Sequence, residues 1–87
     1  MKDLIERNYL STVKRGLITP DTGIVEFLDK LEEEVGEFIE TIDNPTTEEA
    51  TAFELADIIL VCFNIAHHYG IPIEQYLKTK ININFQR

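Results

Sequence analysis

An all-α fold, an antiparallel helical hairpin within a bundle of about four helices, is predicted by three observations. First, apolar residues Ile24, Leu28, Leu31, Val35, Phe38 and Ile42 recur in steps of 4, 3, 4, 3 and 4, which is the seam of a core-facing helix. Second, Phe53 to Ala66 is almost wholly apolar apart from Glu54, Asp57 and Asn64, the pattern of a helix in the middle of a bundle. Third, these two stretches are separated only by a short segment around the breaker Asn44-Pro45, so the helices must lie antiparallel.

Each element has its own local signals. Met1 to Arg15 reads as a first helix with Leu4, Ile5, Tyr9, Leu10 and Val13 on one side, stopped by Gly16. Leu17 to Thr22 is a loop, because Pro20 disfavours helix at Thr19 and Asp21 or Thr22 can cap the second helix. That seam helix runs from Ile24 to about Asp43. Thr46 or Thr47, with Glu48 and Glu49 after them, restarts a helix that continues to about Tyr69 and ends at Gly70. Pro72 opens a short fourth helix through Gln75, Tyr76 and Leu77. Beyond Lys80 the alternation of Ile81, Ile83 and Phe85 is compatible with a strand or with a helical tail laid across a partner.

Eighty-seven residues with 44% hydrophobic content describe one small domain spanning 1–87, near the lower size limit for folding alone. Self-association is therefore expected. The net charge of −8 argues against a nucleic-acid polymer or an anionic membrane as partner. Between Glu26 and Asp57 lie twelve of the sixteen acids and a single base, Lys30. A solvated acidic surface would account for this, and so would a cation site that also receives an anionic ligand. The single cysteine, Cys62, excludes an intrachain disulfide and is expected as a buried small hydrophobe in a reducing compartment. The N-terminus has no apolar signal-like region and the Leu55–Ala66 run is too short for a bilayer span, so a soluble, cytoplasmic protein is expected.

The acids carry the chemistry. Glu34 and Glu37 stand three apart on the seam helix, and Glu54 and Asp57 three apart on the next, so each pair projects from neighbouring turns of one helix face. The two pairs are nearly equidistant from the Asn44-Pro45 breaker, which sets them at matching height across the hairpin. Burying ionised carboxylates costs on the order of several kcal/mol each unless they are paired or hold a metal. Lys30 can pair with one of them, not four. An all-oxygen site suits a hard cation, Mg²⁺ with Mn²⁺ as substitute. Gly36 fits close helix approach or room beside the metal. Asn64, two turns beyond Asp57 on the same face, is either a satisfied core amide or a ligand contact. His67 and His68 lack a ligand-spaced partner and read as surface histidines near a helix end.

At these residues the sequence resembles the MazG-like all-α nucleoside triphosphate pyrophosphohydrolases. The resemblance is carried by Glu33-Glu34-Val35-Gly36-Glu37 (EExxE) and, after a gap of sixteen residues, Glu54-Leu55-Ala56-Asp57 (ExxD). Lys80, Asn84 and Arg87 match a downstream K-x3-N-x2-R spacing. It implies hydrolysis of the α–β phosphate bond of a (deoxy)nucleoside triphosphate, giving the monophosphate and pyrophosphate. Glu34, Glu37, Glu54 and Asp57 would hold Mg²⁺, and Glu33, with Glu34, would act on the attacking water. Lys30, Lys80 and Arg87 would contact phosphates, and Asn64 and Asn84 phosphate, sugar or base. The resemblance also implies a homodimer or homotetramer with sites completed across subunits. The related phosphoribosyl-ATP pyrophosphohydrolases share the carboxylate plan but typically carry Tyr-His shortly after ExxAD, where this chain has Ile-Leu-Val. They are the alternative enzyme, and a non-catalytic metal- or nucleotide-binding helical assembly module is the alternative of another class. No Trp is present to stack on a base.

Overall fold

The structure, a computed structural model, describes residues 1–44 and 46–87. Four helices succeed one another: α1 (Lys2–Lys14), α2 (Ile24–Asp43), α3 (Glu48–His68) and α4 (Ile73–Phe85). The described residues contain no strand. The all-α expectation holds, and Ile81 to Phe85 belongs to the helix α4. Pro45 of the expected breaker lies outside the described residues.

Local chemistry sets the boundaries. After α1, Gly16 takes φ +76°, the Gly16 N–H donates to the Val13 carbonyl and the Leu17 N–H to the Thr12 carbonyl. That pair of bonds is a Schellman end, which satisfies the last carbonyls of the helix. Gly70, at φ +68°, ends α3 in the same way, with Gly70 donating to His67 and Ile71 to Ala66. Thr47 caps α3, its hydroxyl accepting from the Ala50 N–H. Neither Asp21 nor Thr22 caps α2. The N-cap is Gly23, without a side-chain bond, because the Thr22 hydroxyl instead accepts the Thr19 N–H and closes the loop on itself.

α3 is the central element, packing against α2 on one side and α1 on the other. The buried apolar residues are Ile5, Ile18, Phe27, Val61 and Ala66. This differs from the seam expected for α2. Phe27 and Glu34 are buried, whereas Ile24, Leu28, Val35 and Ile42 are exposed. Leu31 and Phe38 of the seam are half-buried, so the face turned to α3 takes in one edge of the apolar stripe together with Phe27 and Glu34 and leaves the other edge exposed. On α1, Ile5 and Thr12 are buried while Leu4, Leu10 and Val13 are exposed. Cys62, expected inside, is exposed on α3. No residue of α4 is buried. By length and composition α3 could cross a membrane, a test that the core helix of a soluble bundle also passes.

Candidate functional site

The antiparallel packing of α2 on α3 brings Glu34, Glu54 and Asp57 together. One carboxylate oxygen from each lies within 4.8 Å of the others. Glu34 is buried, Glu54 half-buried and Asp57 more open. Glu34 Oε2 and Glu54 Oε2 are buried with no hydrogen-bond partner. An orphaned buried carboxylate oxygen is costly, about 1–3 kcal/mol or more for a charged group, and a bound cation would relieve that cost at both residues. These residues fit a hard divalent ion, with oxygens alone as donors. Glu37, the fourth expected ligand, stands beside this group on the exposed side of α2. The charge of Glu34 is the main cause that raises its carboxyl above the ordinary value, with Glu54 adding to it. Desolvation, and after it the charge of Glu34, raises the Asp57 carboxyl, against an opposing pull from Lys30.

Lys30 is the local counter-charge. Its Nζ lies 3.0 Å from Glu34 Oε1 and 3.4 Å from Glu33 Oε1. The hydrogen bond to Glu34 holds the ammonium above its ordinary value. The i,i+3 and i,i+4 spacing on one helix makes both contacts possible. Glu33 is exposed at the rim.

Beside the carboxylates opens a cleft of about 650 Å³, within the range of small-molecule sites. Lys30, Glu33, Glu34 and Asp57 line one end, Ile18, Phe27, Leu60 and Val61 form an apolar stretch, and Asn8, Thr12 and Asn64 supply amides and a hydroxyl. Asn64 is 7% exposed. Its Oδ1 accepts from Asn8 Nδ2 at 2.9 Å and its Nδ2 donates to Thr12 Oγ1 at 3.4 Å. The core-amide reading of Asn64 is thus realised, on the wall of the cleft. Lys80, Asn84 and Arg87 are exposed on or just beyond α4 and line no part of the cleft. Within one chain, α4 diverges from the site and its basic groups are not brought to the carboxylates.

Two contributions escaped the sequence. The first is the α1 wall, Asn8, Thr12 and Arg15. Their spacing along α1 is the only signal, and the apolar residues beside them obscured it. The second is His68, which is not a free surface histidine. Its Nε2 lies 2.8 Å from the Thr22 carbonyl oxygen, so it must donate, which leaves Nδ1 to accept from the Tyr9 hydroxyl at 2.7 Å. The ring packs edge-on against Phe27 at a centroid distance of 4.9 Å, tying α1, the α1–α2 loop and α3 together behind Phe27 and Thr22, which line the cleft. His67 is exposed, as expected, with its ring tilted against Tyr9.

No curated protein and no solved structure matches the chain. A family model described as phosphoribosyl-ATP pyrophosphohydrolase matches residues 13–81. The match names the relatives set second for lack of Tyr-His, and it leaves both enzyme readings open, since that family belongs to the MazG-like superfamily. The matched span contains both halves of the hairpin and every carboxylate of the cluster. The chain belongs to the phosphoribosyl-ATP pyrophosphohydrolase family, within the MazG-like all-α superfamily, and is a hydrolase of acid anhydrides.

Proposed function

We propose that the protein cleaves the α–β phosphate bond of a nucleotide carrying a triphosphate chain, releasing pyrophosphate, with Mg²⁺ held by Glu34, Glu37, Glu54 and Asp57. The observation that carries this reading is the carboxylate cluster of Glu34, Glu54 and Asp57, in which Glu34 and Glu54 each keep a buried oxygen without a partner and Glu34 and Asp57 line the cleft. When bound, such a cation offsets phosphate charge and makes a water more acidic. The chain's own groups do the remainder. Lys30 is placed to donate to a phosphate oxygen when the cation replaces it as partner of Glu34. Glu33, one turn along and solvent-facing, is placed to take the proton of the attacking water. The apolar stretch around Phe27 and Val61 shields the nucleoside from solvent.

Two substrate classes undergo this cleavage at the same bond, the (deoxy)nucleoside triphosphates and phosphoribosyl-ATP. The motif resemblance supports the first and the family match the second. Incubating the protein with Mg²⁺ and each (d)NTP, and separately with phosphoribosyl-ATP, and measuring released pyrophosphate separates them. No product from any of these, with divalent metal still bound, would leave a non-catalytic binding module.

The assembly is proposed to be a homodimer or homotetramer. The radius of gyration, 14.6 Å, exceeds the roughly 12 Å of a compact chain of this length. The accessible surface, 6680 Å², likewise exceeds the roughly 5200 Å² of a compact monomer of this mass. A helix α4 with nothing buried, and exposed Ile24, Leu28, Phe53 and Ile59, offer the apolar area for a second copy.

A further inference from the structure

The cleft is lined by two cations, Lys30 and Arg15. Lys30 is engaged with Glu33 and Glu34. Arg15, among the described residues, makes no ion pair, and its one bond is a long 3.4 Å donation from Nε to the Ser11 carbonyl. Its terminal nitrogens are thus uncommitted in a cleft whose other ionised groups are all acids: Glu26, Asp29, Glu33, Glu34 and Asp57.

Its position is set by the packing of α1. Asn8 and Thr12 both bond Asn64, and Tyr9 bonds His68, so α1 runs antiparallel to α3. One turn past Thr12 on α1 corresponds to one turn back from Asn64 on α3, which points toward Leu60 and then Asp57. Arg15 is the C-cap of α1, and the two bonds of the Schellman end, donated by Gly16 and Leu17, fix the backbone that carries it. A guanidinium presents a planar fork of donors suited to two phosphate oxygens at once. The groups expected for that task, Lys80 and Arg87, do not reach this cleft within the chain.

We propose that Arg15 is a substrate-binding residue that clamps the phosphate chain of the nucleotide opposite Lys30, so that α1 forms a third wall of the site. This rests on the reading of the cleft as a nucleotide site. The occupant of the clamp is a polyphosphate, and the nucleoside lies further in, toward Phe27, Asn8 and Asn64.

The test is calorimetric binding of inorganic pyrophosphate and of an α,β-methylene nucleoside triphosphate, each with Mg²⁺, by the full chain. Arg15→Gln is expected to weaken both by about tenfold to a hundredfold and to raise KM more than it lowers kcat. Arg7→Gln, on the exposed part of α1 and outside the cleft, is expected to bind as the wild type does. Binding by Arg15→Gln at wild-type strength overturns the proposal. If Arg15→Gln loses its helical signal, Arg15→Lys decides: it keeps stem and charge but not the fork, and an unchanged Kd overturns the proposal. Wild-type turnover with an Arg15→Gln variant of equal KM removes Arg15 and leaves the proposed activity standing. Arg15-dependent probe binding without pyrophosphate release from any nucleotide does the reverse. A wild type that binds neither probe overturns the clamp as well.

Discussion

The Lys30 ammonium lies 3.0 Å from Glu34 Oε1, while Glu34 Oε2 is buried without a partner. One oxygen of this carboxylate is thus paired from within its own helix, and the other is open to a cation of the kind proposed above. The side chain of Glu34 is 8% exposed and that of Lys30 49%, so the acid is fixed by packing and the base can leave. On the proposed reading, that asymmetry would leave Lys30 free to turn to a phosphate while Glu34 stays in place.

Replacing a ligand should separate activity from folding. Asp57→Asn removes a charge that desolvation and Glu34 already disfavour. Pyrophosphate release should fall by roughly a hundredfold or more, and Mn²⁺ binding measured by calorimetry should weaken with it. The melting temperature in EDTA should hold or rise. Wild-type turnover in this variant would remove Asp57 from the ligand set.

The same carboxyls set the sign of the pH dependence. The folded state raises the values of Glu37 and Asp57, so around and above the ordinary carboxylate range it binds more protons than the unfolded chain. Their contribution to metal-free stability is then fully present below the unfolded values and is lost as pH rises through the folded ones. Thermal melts in EDTA should therefore show a higher midpoint at about pH 4.5 than at about pH 7. A midpoint that falls on acidification would mean that the repulsion is already compensated in the apo protein.

Asn64 should matter for stability. Replacing it by Leu leaves Asn8 Nδ2 without its acceptor and Thr12 Oγ1 without the donor it accepts from, while the Thr12 hydroxyl keeps its own donation to the Asn8 carbonyl. A loss of about 1–3 kcal/mol in urea unfolding is expected. A change below about 0.5 kcal/mol, the usual scale of surface substitutions, would show that water replaces the amide without cost.

Gly16→Ala tests the end of α1. The residue sits at φ +76°, and a Cβ there meets no atom within 4 Å. Any destabilisation is therefore backbone strain, about 1–2 kcal/mol. Denaturant unfolding that shows no loss would place this residue outside the left-handed region.

Light scattering should report a mass well above the 10.0 kDa of one chain. A monomer would leave the exposed apolar residues of α2, α3 and α4 to another partner.

Helix type, order and approximate ends were legible because period, capping Thr47 and the stop glycines are local signals that do not depend on the rest of the chain. The pairing of Glu34 with Glu54 and Asp57 was legible too, since a short connection leaves two long helices only the antiparallel arrangement. The rotation of α2 about its own axis was not. The apolar stripe and the carboxylate line overlap only in part, and packing against α3 decides which edge of the stripe is covered. The α1 wall was equally hidden, because Asn8, Thr12 and Arg15 acquire meaning only from the α3 residues opposite them. Asn64 could have been either amide or ligand until its two partners were placed. The acidic lattice at the centre is thus a property of spacing along the chain. The cleft beside it, with Arg15 on its rim, is a property of how three helices meet: its walls come from residues far apart in sequence that share no local pattern.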